Sequence, residues 1–196
     1  MNKLNRRDVL RTLLADRGDL LVVSGLGSPS YDVAACGDEP FDFPLWGAMG
    51  GAAMLGCGLA LAQPRRSVLV VTGDGELLMG LGSLATIAAQ RPANLRIVVM
   101  DNERYGETGQ QQTHTAMGVD LAAVARACGF EQSLTIRQEA ELPTLREQLH
   151  SAQTPLFAVI KVAMEELPRV LPPRDGAYLT HRMRTALLGA ATAAEA

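Results

Sequence analysis

The chain has 196 residues, of which 47% are hydrophobic and 20% charged, and its formal net charge is −3. That length supports a substantial core, and the near-neutral balance gives no electrostatic reason to expect nucleic acid or an anionic membrane as partner. Cys36, Cys57 and Cys128 are odd in number and share no metal-ligand spacing, so they read as small buried hydrophobes or inert thiols.

No signal-peptide pattern opens the chain, because Met1 to Asp8 is polar and runs straight into an amphipathic stretch. The expected compartment is the cytosol. Residues 5–16 place Val9, Leu10, Leu13 and Leu14 on one helical face. Residues 19–24 form a buried strand that ends in the loop Gly25-Leu-Gly-Ser-Pro-Ser30. The uncharged stretch from Phe43 to Pro64 is broken by Pro44 and rich in glycine. It reads as a loop entering a tightly packed internal helix over 47–62, rather than as a membrane span. Residues 67–72 give a second strand, 77–90 a helix, and 95–100 a third strand. A polar loop runs from Asn102 to Gly118, and Asp120 is placed to cap a helix over 121–128. A short strand over 133–136, a helix over 139–150 and a last strand over 155–162 follow. The remaining tail, 163–196, carries Pro168, Pro172 and Pro173, a helix near 180–188 and an alanine-rich end.

Strand and helix alternate throughout, so the fold class is α/β with a parallel sheet covered by helices on both faces. The chain reads as one domain over 1–196, with its core at about 19–162, and no internal repeat or separating linker is apparent.

The chemistry concentrates where two strands end. One delivers the chain to Gly73-Asp74-Gly75 and another to Asp101-Asn102, with Asp74 and Asn102 28 positions apart. Open α/β sheets bind ligands at the carboxyl ends of their strands. A carboxylate and an amide carbonyl are hard oxygen ligands suited to Mg²⁺, and glycines let a phosphate group approach the backbone. The loop at Gly27 and Ser28 suits diphosphate contacts. It lacks the third glycine of a dinucleotide fingerprint, with Ser30 in its place, and no Walker sequence occurs. Gly75 and Glu76 open a helix whose amides favour an anion, so the Glu76 carboxylate must point away from bound phosphate. The polar loop offers Thr108, Gln111, Thr113 and His114 as substrate contacts; His150 and His181 read as surface residues, and Trp46 as a packing residue.

Gly73-Asp74-Gly75, the distance to Asn102 and the following Arg104-Tyr105-Gly106 resemble the cofactor motif of thiamine diphosphate enzymes of the pyruvate decarboxylase and acetolactate synthase group. The resemblance implies thiamine diphosphate and Mg²⁺ as cofactors, with Asp74, Asn102 and the backbone carbonyl of Arg104 as metal ligands. Asp101 stands where the family usually has a first asparagine. Gly27, Ser28, Gly73, Gly75, Glu76, Tyr105 and Gly106 are then the expected cofactor contacts. Gly47-Ala48-Met49, with Met49 25 positions before Asp74, is similar to the family's pyrimidine-contacting segment. There the Gly47 carbonyl would accept from the aminopyrimidine and Met49 would wedge the two rings into their bent form. Met49 and His114 are the candidate catalytic residues.

Complete members of the group pair a diphosphate-binding domain with a pyrimidine domain that supplies a glutamate. This chain resembles only the first, over about 19–162, so a partner (alpha) subunit of a hetero-oligomer is expected to bring the glutamate. Met49-Gly-Gly, the run Gly58 to Pro64, the run Gly82 to Ile87 and the run Tyr105 to Gly109 are similar to β subunits of sulfopyruvate decarboxylases and the C-terminal half of phosphonopyruvate decarboxylases. The implied reaction is decarboxylation of a small 2-oxo acid to an aldehyde. A carboligase subunit and a noncatalytic cofactor-binding or regulatory subunit use the same residues and stay open.

Overall fold

The computed structural model describes residues 3–151 and 153–190. In chain order the elements are α1 (Arg6–Leu14), β1 (Leu21–Ser24), α2 (Ser28–Ala34), β2 (Asp42–Pro44), α3 (Ala52–Ala62), β3 (Val68–Gly73), α4 (Asp74–Met79), α5 (Ser83–Gln90) and β4 (Leu95–Asp101). There follow β5 (Arg104–Tyr105), β6 (Gln111–Gln112), α6 (Leu121–Cys128), β7 (Gln132–Ile136), α7 (Leu142–Ser151), β8 (Leu156–Lys161) and α8 (Gly176–Leu188). Six strands form one parallel sheet in the order β2-β1-β3-β4-β8-β7, while β5 and β6 pair as a small antiparallel hairpin.

The central strands are apolar runs because both faces of the sheet are covered. Alternate side chains sort into two cores. Leu21, Val23, Val68, Val70, Ile97 and Val99 pack with α3, α5 and α6. Leu20, Val22, Leu69, Val71, Val98 and Ala158 pack with α1 and α7. Alanines 52, 53 and 60 of α3 are buried against the first face, and their small side chains let this helix lie close to the sheet.

Several differences from the sequence reading have local causes. Residues 28–34 are helix rather than loop, a turn begun by Ser28-Pro29 that has no apolar period to betray it. The helix expected over 47–62 starts only at Ala52, since Gly47 and Gly50 adopt positive φ. The helix expected over 77–90 begins earlier, at Asp74, and breaks at Gly80 into α4 and α5. The polar loop contains the β5–β6 hairpin and a 3-10 turn at His114–Met117. The tail helix starts at Gly176, where the Asp175 side chain accepts from the Ala177 and Tyr178 amides. The alanine-rich end beyond residue 190 lies outside the described residues. Among the described residues, no helix is long and apolar enough to cross a membrane.

Candidate active site

The sheet order places the site. From β1 the chain moves outward to β2, whereas from β3 it moves the other way to β4. β1 and β3 are therefore the neighbours at which connections diverge, and ligands of open α/β sheets bind outside the carboxyl ends of such a pair. The loops leaving β1 and β3 are Gly25–Ser28 and the turn into Asp74. Gly73 lies opposite Met100 in the β3–β4 register, so Asp74 and Asp101 emerge level, with Asn102 one residue further.

These ends open into a cleft of about 660 Å³. Its wall includes Gly27 and Ser28 from the first loop and Gly73, Asp74, Gly75 and Glu76 from the second. Asn102, Arg104, Tyr105 and Gly106 enter from the third, and Met49 from the turn before α3. Gly47 and His114 are not part of the wall. Gly47 is exposed with φ +79, and His114 opens the 3-10 turn with its Nδ1 3.5 Å from the Tyr105 hydroxyl. Met49 is 51% exposed at the cleft, so it is not a core residue.

Asp74 is 1% exposed. Its Oδ2 accepts from Thr113 Oγ1 at 2.5 Å and from Thr115 Oγ1 at 3.3 Å. Burial pushes its carboxyl up to about 6, the nearby Asp101 charge adds to this, and the threonine hydroxyls oppose it. An anion so poorly compensated fits a cation. Among the described residues, Asn102 Oδ1 accepts only from the Arg104 amide, at 2.9 Å, which leaves a lone pair for another partner. Among the described residues no cluster of three or more His, Cys, Asp or Glu side chains could hold a metal ion. The donor set on this wall is instead one carboxylate and one amide oxygen, both hard oxygens that suit Mg²⁺, and Arg104 lines the same cleft.

Several surrounding contacts were not foreseen. Thr113, read as a substrate contact, is fully buried and holds Asp74. Asp101 is also buried and pairs with Lys161 Nζ at 2.6 Å while accepting from Thr115 at 2.9 Å. Thr115 thus links the two aspartates, 41 and 14 positions away in sequence. Glu76 turns inward, where its Oε2 accepts from Thr72 Oγ1 at 2.6 Å. Burial raises its carboxyl above the usual range, against the favourable Thr72 hydroxyl and the Ala52 and Gly50 amides. Its carboxylate occupies the space a side chain at Gly25 would need: a Cβ there would lie 1.6 Å from Oε2. Glu76 also lines the cleft, with its carboxylate held by Thr72 and against Gly25.

Residues 31–162 match the model of the thiamine pyrophosphate enzyme C-terminal TPP-binding domain. The chain belongs to that family. It is 42% identical over 159 residues to the sulfopyruvate decarboxylase subunit beta of Methanothermobacter thermautotrophicus, covering 81% of this chain and 82% of that one. It is 48% identical over 122 residues to the phosphonopyruvate decarboxylase of Streptomyces viridochromogenes, covering 62% of this chain and 30% of that protein. The fold matches benzoylformate decarboxylase from Polynucleobacter necessarius with a TM-score of 0.71 at 23% identity. There the alignment takes 84% of this chain but only 34% of the longer one. The chain thus has the extent of the β subunit and about a third of the length of the single-chain enzymes.

Proposed function

We propose that this chain is the cofactor-holding β subunit of a Mg²⁺-dependent decarboxylase acting on a sulfopyruvate- or phosphonopyruvate-like 2-oxo acid, which it converts to an aldehyde and CO₂. The observation that carries the reading is the buried Asp74 carboxylate at the end of β3, with Asn102 just past the end of the neighbouring β4, in one cleft. Asp74, Asn102 and the Arg104 carbonyl hold Mg²⁺. The Gly27-Ser28 and Gly73-Gly75 backbones lie against the diphosphate, and Met49 sets the approach of the two rings. Bound thiamine diphosphate supplies the electron sink for loss of CO₂; the protein supplies placement and electrostatics. Glu76 is committed to Thr72, so the carboxylate needed at the pyrimidine comes from a partner subunit carrying a pyrimidine-type domain. The face around α3 and the loop after Asn102 is the contact surface.

Mixing the purified chain with such a partner tests this. Decarboxylation should rise with partner concentration and saturate near equal stoichiometry. Product analysis with an added acceptor aldehyde separates the decarboxylase from a carboligase. In the assembled enzyme, Asp74→Ala and Asn102→Ala should abolish Mg²⁺-dependent retention of thiamine diphosphate, because each removes one of few protein ligands. Unchanged affinity by calorimetry in Asp74→Ala would end the metal assignment, and full activity without any partner would end the split-site reading.

A further inference from the structure

Arg6 lies outside the family-matched region, yet it forms part of the cleft wall with Ser28 and Asn102. It is brought there by the segment before α1. Leu4 continues the sheet as a parallel bridge to Val162, its amide donates to the Lys161 carbonyl and its carbonyl accepts from Ala163. That anchoring runs the chain across the carboxyl end of β8 and starts α1 beside the site. Arg6 is 5% exposed.

Its donors are only partly engaged by the groups around it. Asp32, 1% exposed and one helical turn after Ser28 on α2, accepts from Arg6 Nε. The same carboxylate accepts from Arg7 Nε at 3.1 Å and from Arg7 Nη2 at 2.9 Å. Two guanidinium groups therefore share one buried carboxylate. Arg6 Nη1 donates to the Glu165 carbonyl, while the Glu165 carboxylate is taken by Asn5 Nδ2 at 2.6 Å. Among the described residues, nothing accepts from Arg6 Nη2. A guanidinium held on a cleft wall with one donor free is available to an anion that enters the cleft.

The other charged groups of the wall are held differently. Asp74 is bound to Thr113 and Thr115, Glu76 to Thr72, and Glu107 is exposed against Gly27 on the first loop. Arg104 directs its Nη1 to the Glu103 carbonyl at 2.9 Å. A diphosphate monoester carries more negative charge than one Mg²⁺ offsets, and a planar guanidinium is matched to phosphate oxygens.

We propose that Arg6 is a diphosphate-binding residue of this chain, held in place by Asp32 and completing the charge balance that Mg²⁺ leaves unfinished. The inference rests on the cofactor reading given above and adds to it a residue from beyond the family's own domain.

Calorimetry on the full chain in the presence of Mg²⁺, with thiamine diphosphate and with unphosphorylated thiamine as separate probes, tests it. Arg6→Gln should weaken thiamine diphosphate about 10- to 100-fold, the effect expected for a hydrogen bond to a charged group, and leave thiamine unchanged. Arg7→Gln, which removes the other partner of Asp32, should leave both affinities as they are. Arg6→Lys, retained in case the glutamine variant does not fold, should bind thiamine diphosphate more weakly than wild type because the fork is lost. An Arg6→Gln or Arg6→Lys chain that keeps wild-type affinity for thiamine diphosphate would overturn the proposal, as would an equal loss for both probes, which marks a purely structural role. If Asp74→Ala loses binding while the Arg6 variants keep it, the cofactor reading stands and this inference alone falls. Absence of thiamine diphosphate binding by the wild-type chain, both alone and assembled with its partner, would overturn both.

Discussion

At the scale of single residues, the site is defined by how differently its neighbouring carboxyl groups are treated. Asp74 is buried and under-compensated, Glu76 is spent on Thr72, and Asp101 is neutralised by Lys161. Only the first is available to a cation. Met49 contrasts with all three, because half of its surface is open at the cleft. Removing its side chain should therefore leave the fold almost untouched, within about 0.5 kcal/mol. In the assembled enzyme, Met49→Ala should instead lower turnover on the order of 10²-fold, since misplacing reacting groups by about 1 Å costs that much. Cofactor affinity should change only a few-fold. Normal turnover with cofactor bound would show that Met49 does not set the ring geometry. Asp74 and Asn102 were legible in the sequence because each follows an apolar strand directly. Thr113, Thr115 and Arg6 were not, since their partners lie 39, 41 and 26 positions away and no local pattern encodes those contacts.

Among the elements, the strands that were readable are those buried on both faces, where the run of Val, Ile and Leu is continuous. β2 was missed because three residues at a sheet edge, Asp-Phe-Pro, carry no such run. It is held by charge. Arg17 Nη1 and Nη2 reach Asp42 Oδ1 and Oδ2 at 2.7 and 3.0 Å, and the Glu39 amide donates to Oδ2 at 3.1 Å. Burial nevertheless raises the Asp42 carboxyl above its ordinary value, with Arg17 opposing. A folded-state value above the unfolded one means that ionising Asp42 costs stability as pH rises through the carboxylate range. Arg17→Met removes the main group that opposes the shift, so that cost grows. At pH 7.5 the variant should lose about 3–5 kcal/mol, as expected for a buried charge left without its partner. At pH 4.5 the loss should shrink, because the carboxyl can then take up a proton. Urea unfolding at the two pH values measures this, and an equal loss at both would show that the charge of Asp42 is not what Arg17 stabilises.

For the molecule as a whole, the all-parallel sheet makes the site a property of topology. Divergence between β1 and β3 leaves a crevice, and the loops that border it carry the Gly25–Ser28 and Gly73–Gly75 segments. The α/β class was readable from strand–helix alternation, whereas the strand order was not, because register depends on pairing between distant segments. The open side of that crevice has a chemical consequence. Met49 and Met79 on its wall are each 51% exposed, and Met54 on α3 is 40% exposed. Thioethers so accessible are oxidised by peroxide to sulfoxides, which turns an apolar surface polar. In the chain alone, mass spectrometry after brief peroxide treatment should find all three converted, and the treated chain should then assemble poorly with its partner. In the assembled enzyme the same three sulfurs should be protected, so their oxidation pattern maps the contact. Equal conversion in the free and assembled states would place the partner on another face.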